Sequence, residues 1–211
     1  MAKLYVAVIA DAIDSRGLAP PARKRLQTAL QQALPRLNQR YRKALAARFD
    51  VTLGDELQCL LADARAIWEI SHYIRYQFSE VDWIVACGRG PITTALAPGI
   101  TAPKVDGPCF HAARAALEAA KRDRQVLTLA GFPAEHVPAF AAYYSGLYWS
   151  WTARQRALAN KWRAWGDAEA GLPKKVQEGL HPSAVSHLRR RMAWPLVAQG
   201  DRMFRNLLEA L

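Results

Sequence analysis

Apolar positions change period along the chain, and the changes divide it into elements. Leu4 to Ala10 is a continuous apolar run with no Gly or Pro inside, the pattern of a strand covered on both faces. Beyond the acidic loop Asp11-Ala12-Ile13-Asp14-Ser15, the positions Leu26, Leu30, Leu34, Leu37, Tyr41 and Leu45 recur at three- and four-residue spacing. They predict an amphipathic helix over Ala22–Ala47, kinked or divided at Pro35. Phe49–Leu53 and Leu57–Leu61 are short apolar runs on either side of Gly54-Asp55-Glu56, the length and chemistry of a β-hairpin. Ala64–Phe78 carries Ile67, Ile70, Ile74 and Phe78 on one helical face, with Asp63 as its cap. Trp83–Cys87 reads as a strand, Phe110–Lys121 as a helix and Gln125–Ala130 as a last strand. The order βαββαβαβ predicts one mixed sheet with helices packed on it, an α+β domain over residues 1–132.

From Pro138 onward the strand pattern stops. Gly131, Pro133 and Pro138 mark a boundary, and residues 133–211 read as a helical region. A long amphipathic segment covers Ala139–Trp165, short helices cover Lys174–Gly179 and Ser183–Met192, and a final one covers Pro195–Leu211. Short helices joined by tight turns in a basic segment are the outline of a helix-turn-helix.

Composition narrows the function classes. With 51% hydrophobic and 22% charged residues in 211, the chain has globular usage and is neither disordered nor of low complexity. Three cysteines with no CxxC pair exclude a disulfide framework and a zinc ribbon, and no apolar run is long enough for a membrane span, so a cytoplasmic protein is expected. The formal charge of +11 and a pI near 10 make a polyanion the expected partner. Residues 141–211 hold 11 basic and 5 acidic residues, so the helical part is the more basic one.

Two constellations carry candidate chemistry. In a βαββαβ sheet the first strand lies beside the third, which brings Asp11 to Asp55, with Glu56 turned elsewhere or supporting them. Two carboxylates at one sheet edge suit Mg²⁺ or Mn²⁺ and leave its other positions to phosphate oxygens. Local spacing leaves a second reading open, a plain hairpin turn with Asp11 as a helix cap. Gly88-Arg89-Gly90 lacks the Gly-Lys-Ser/Thr end of a phosphate loop and reads as a strand end beside that site. In GLHPSAVSHLRRRM, Val185, Leu188 and Met192 share one helical face. Ser183, Ser186, His187, Arg190 and Arg191 take the other, where small polar groups meet bases while Arg189, Arg190 and Arg191 meet phosphates. The alternative there is a solvated basic face. Trp149, Trp151, Trp162, Trp165 and Trp194 alternate with arginines and a lysine, yet the helical spacing of Trp151, Leu158, Trp162 and Trp165 favours packing over base stacking. Met203, Phe204, Leu207, Leu208 and Leu211 are candidates for a homodimer seam.

The stretches IADAIDSRGL, FDVTLGDELQCLL and GPCFHAARAALEAAK, in that order, resemble the nucleotidyl cyclase and GGDEF palm pattern, and the whole chain is most similar to the SatD family of bacterial proteins. The resemblance implies a ferredoxin-like palm fold. It also implies Asp11 and Asp55 as metal ligands, a phosphate loop at Asp14, Ser15 and Arg16, and Arg114 facing the triphosphate of a purine nucleotide. Phe110 stands where cyclases place the Asn that orients the ribose, a departure that favours binding over turnover. The basic segment resembles the helix-turn-helix of sigma-like and LuxR-like DNA binders. The resulting expectation is a nucleotide-responsive DNA-binding regulator, homodimeric. The alternative is a metal-dependent nucleotidyl cyclase or nucleotidyltransferase.

Overall fold

The structure, a computed structural model, describes residues 2–52, 55–133, 135–164 and 181–211. Strands β1 (Tyr5–Ala12), β2 (Leu45–Thr52), β3 (Glu56–Leu61), β4 (Trp83–Gly90) and β5 (Leu127–Ala130) form one mixed sheet in the order β2-β3-β1-β4-β5. β1 runs antiparallel to both β3 and β4, and only the β4–β5 pair is parallel. β1 is central because its residues are apolar on both faces, and each face is covered. Val6, Val8, Ala10 and Ala12 point to the layer of helices α1 (Pro20–Arg40), α2 (Ile67–Gln77) and α4 (His136–Ser150), whereas Ala7 and Ile9 point to α3 (Pro108–Asp123).

Small residues make the α3 side tight. A Cβ at Gly88 would lie 2.1 Å from the Cys109 carbonyl oxygen and 2.4 Å from the Ala113 nitrogen, so only Gly lets the helix backbone come this close. Ala86, Ala113, Ala116 and Ala120 complete the same contact surface. Gly107, at φ 153°, turns the chain into α3, where a Cβ would meet Ile92 Cα at 2.5 Å.

Three expected boundaries move. The first helix ends at Arg40, with Pro35 inside it, because Leu45 and Ala47 pair with Leu61 and Leu60 and so open β2. Asp63 accepts the Arg65 N–H in the turn ahead of α2 and does not cap the helix itself, which starts at Ile67. The long segment after residue 138 is two helices, α4 and α5 (Ala153–Ala164). They separate at Trp151, whose ψ of 145° is extended, and Thr152 with Gln155 forms a reciprocal capping box. The expected helix Lys174–Gly179, and Trp165 with it, lies outside the described residues.

The last two helices are α6 (Pro182–Arg191) and α7 (Trp194–Glu209), joined through Ala193 in the left-handed region. The helices after residue 132 share a core with the sheet. Val137, Ala141, Tyr144 and Tyr148 of α4, and Phe204 and Leu208 of α7, are buried with α2, and Phe140 stacks on Phe204 at 4.4 Å. This corrects the seam expectation for Phe204 and Leu208, which the chain buries against itself. Met203 stays exposed. Trp151, Leu158, Trp162, Met192 and Trp194 form a separate small cluster, with Val185 and Leu188 packed against it. At its centre the buried Arg163 guanidinium pairs with Asp201 at 2.6 and 2.8 Å and lies within 5.4 Å of the Trp68, Tyr144, Trp151 and Trp194 rings.

Candidate functional site

The antiparallel ladder decides which carboxylates meet. Asp11 is opposite Glu56, and directly opposed residues point to one face, here the α3 face. Asp55 lies one residue earlier, in the turn, where its carboxylate accepts the Ser15 hydroxyl. Glu56 does not point away; it lies on the same face as Asp11 and is the most enclosed carboxylate of the site. Its carboxylate is 2% exposed and takes Arg114 Nη1 at 2.5 Å and Nη2 at 2.8 Å. Gln58 Nε2 and Thr52 Oγ1 donate to it as well, each at 2.7 Å. Burial pushes the Glu56 carboxyl up, but these donors outweigh burial and hold it below the usual range.

Asp11 reaches Lys121 Nζ at 3.2 Å. Burial pushes its carboxyl up, Lys121 draws it down, Glu56 and Asp55 push up again, and the net is a raised value. Arg114, Glu118 and Lys121 share one face of α3 at i, i+4 and i+7 spacing. They complete a cavity of about 940 Å³ with Asp11, Asp14, Ser15, Arg16, Gly17, Arg23, Asp55, Glu56 and Ile84. Asp14 has φ 53°, which starts the short helical turn Ser15–Gly17 over the cavity. Arg23 Nε has no hydrogen-bond partner.

All the expected nucleotide and metal residues of the first half thus line one cavity. Sequence reasoning missed Glu56 as an anchor for Arg114 and missed Glu118, Lys121 and Arg23; the α3 spacing from Arg114 was the available signal for two of them. Gly88-Arg89-Gly90 is a strand end but not beside this site. Gly90 pairs with Tyr5 and Gly88 with Ala7, at the far end of the ladder from the Asp11 and Ile84 pair.

Asp11, Asp55 and Glu56 offer the oxygen donors a hard divalent ion prefers, and Asp11 and Asp55 are the two not held by a guanidinium. Asp11 is turned to Lys121 and Asp55 to Ser15, and no group of three His, Cys, Asp or Glu is drawn together among the described residues.

On α6, Ser183, Ser186, His187, Arg190 and Arg191 are exposed. Val185 and Leu188 face the tryptophan cluster as their spacing predicts. Arg189 is half-buried, with its guanidinium 5.8 Å from the Trp162 ring, so it differs from the two arginines after it. The His181 ring nitrogen caps the helix by accepting the Ser183 N–H and lies 2.8 Å from the Ser183 hydroxyl. Among the described residues no helix is long and apolar enough to cross a membrane.

No curated protein and no solved structure matches the chain. The SatD family model matches residues 5–127, from the start of β1 to the first residue of β5, which takes in the whole cavity. The chain belongs to the SatD family.

Proposed function

We propose that the chain is a nucleotide-responsive DNA-binding protein, regulatory in role, in which a palm-like α+β half senses a purine nucleotide and a basic helical half binds duplex DNA. The observation that carries the reading is the cavity at the end of β1. Asp11, Asp14, Ser15, Arg16, Asp55 and Arg114 line it together although they come from four separate elements or loops. The strand order β2-β3-β1-β4, with β1 antiparallel to both neighbours, supports a ferredoxin-like palm. In this reading Asp14, Ser15, Arg16 and Arg114 hold the phosphates, and Asp11 with Asp55 holds Mg²⁺ or Mn²⁺ that arrives with them. The ion would neutralise phosphate charge and fix its orientation.

Metal and nucleotide should bind together rather than in turn. The carboxylates already have Lys121, Ser15 and Arg114 as partners, so a bare ion must compete with two cations, and a bare triphosphate must approach three carboxylates. Bound as one unit, each takes the partner that the other releases. The exposed face of α6, with Ser183, Ser186 and His187 toward bases and Arg190 and Arg191 toward phosphates, supports the DNA half of the reading. Arg189, over Trp162, would hold the helix in place. A cytoplasmic homodimer completes the proposal, with exposed Met203 in its seam.

The alternative is a metal-dependent nucleotidyl cyclase or nucleotidyltransferase acting on purine triphosphates, and the same carboxylates favour it. Phe110 weighs against it, because it is buried in the α3-side core and offers no polar group to a ribose. Calorimetry with Mg²⁺ or Mn²⁺ and a purine triphosphate, together with chromatography of the nucleotide after incubation, separates the readings. Binding without turnover supports the sensor. Cyclic or transferred product supports the enzyme, and no binding with either ion ends both.

A further inference from the structure

Between Asp14 and Asp50 the chain carries nine Lys or Arg residues and no Asp or Glu. Most of that stretch is α1, and folding sorts its side chains. Leu26, Leu30, Ala33 and Leu37 are buried in the core, and the opposite face is left to solvent. Arg25, Gln32, Arg36 and Gln39 are exposed there. Counted from Arg25, spacings of seven, eleven and fourteen residues keep them on one stripe about 60° wide and about 21 Å long. Lys24 flanks the stripe. Arg42 and Lys43 carry the charge past its end, in the turn before β2, where both share a pocket with Gln39.

Lys24, Arg25, Arg36, Arg42 and Lys43 are all exposed and have no carboxylate partner among the described residues. The acids that border them are engaged elsewhere. Glu69, in the pocket with Arg42, accepts Arg40 at 2.8 Å. Asp63 follows Ala62, whose N–H meets the Ala44 carbonyl of the turn, and it pairs with Arg65 at 2.5 Å. Asp50 gives one oxygen to the Val51 N–H. The row therefore presents free donors to solvent, and its like charges repel one another until an anion lies along them.

The make-up of this face selects among polyanions. Lys, Arg, Gln and Thr, which dominate it, all donate to phosphate oxygens. It offers no aromatic ring to an unstacked base, which single-stranded nucleic acid would need. Its leucines pack into the core, so nothing on it can enter a lipid interface. A row of about 21 Å matches the rise of about six phosphates on one strand of a duplex. We propose that the outer face of α1, with the Arg42-Lys43 turn, is a second nucleic-acid surface, one that holds the phosphate backbone of a duplex without reading its sequence. It belongs to the α+β half, and it needs neither the α6 face nor the nucleotide cavity to act.

Fluorescence anisotropy of the full chain with two labelled duplexes of unrelated sequence, over a range of salt, tests it. Arg25→Glu with Arg36→Glu, both at exposed helix positions, should weaken binding to both duplexes at least about tenfold at low salt. Arg25→Gln with Arg36→Gln removes two phosphate contacts, should reduce the salt slope by about 2, and decides the matter should the Glu pair not fold. Arg122→Glu with Arg154→Glu makes the same change of net charge at exposed positions on α3 and α5. It should weaken binding no more than about threefold, because charges away from the contact are screened. A loss in the α1 variants with none in Arg190→Ala plus Arg191→Ala upholds this surface and takes DNA binding away from α6. Duplex binding that the α1 variants leave unchanged overturns the proposal. So does an equal loss with the Arg122 and Arg154 pair, or binding to phosphatidylserine vesicles with none to duplex at the same salt.

Discussion

Glu56 and Asp11 face each other across one ladder position yet respond to pH in opposite ways. Glu56 has its carboxyl held below the usual range, so its contribution to stability is full above about pH 4.5 and is lost as pH falls through the lower folded value. Asp11 has a raised carboxyl, so its ionisation works against the fold, and the cost is complete once pH has risen past the folded value. Two outcomes follow for urea denaturation at neutral pH without ligand. Glu56→Ala should lose about 1–3 kcal/mol, because it leaves the Gln58 amide and the Thr52 hydroxyl without their acceptor. Asp11→Asn should leave stability unchanged or slightly higher, while removing the joint binding of metal and triphosphate. His72 adds a separate acid response. Burial, then Arg163 and Arg75, push its ring well below the ordinary 6.5, so it is neutral in the fold, and stability should fall as pH drops below about 6.5 toward the folded value. His72→Phe should flatten that part of the pH profile.

Helix α3 brings Arg114 and Lys121 to the site only because β4 lets it approach. Gly88→Ala puts a methyl 2.1 Å from the Cys109 carbonyl oxygen and should cost about 3 kcal/mol while loosening nucleotide binding. Gly17→Ala, where nothing lies within 4 Å, should leave stability near wild type and serves as the control. Element order was legible because each run of residues 4–130 kept one period long enough to read. The break at Trp151 was missed because apolar spacing continues across it, although Thr152 and Gln155 spell the capping box. The role of Glu56 stayed open because its register depends on how β1 and β3 align, and a period-two alternation becomes informative only once that alignment is known. The position of Gly88-Arg89-Gly90 failed for a related reason, since antiparallel pairing sends the end of β4 away from the end of β1. The inward face of α6 was readable from Val185, Leu188 and Met192 alone, whereas the stacking of Arg189 on Trp162 needed the fold of α5.

At the scale of the molecule, the two halves are held together by burial. Phe204 and Leu208 sit in the core beside α2, and the Arg163–Asp201 pair links α5 to α7. Asp201→Ala should therefore cost about 3–5 kcal/mol by leaving a buried guanidinium unpaired. For the same reason, removing residues 181–211 would unfold the protein rather than isolate a DNA-binding part, and point substitutions on α6 are the proper probe. The charge of +11 gives any polyanion some affinity, so only its dependence on salt and nucleotide is diagnostic. The most direct measurement is fluorescence anisotropy of labelled duplex DNA with the full chain, over a range of salt, with and without Mg²⁺ and a purine triphosphate. Log affinity should fall with log salt at a slope of about −4 to −5 for four to six phosphates. Arg190→Ala with Arg191→Ala should flatten the slope, and Mg²⁺-triphosphate should change affinity in the wild type but not in Asp11→Asn. Affinity indifferent to nucleotide, together with a slope unaltered by the arginine changes, would overturn nucleotide-responsive DNA binding.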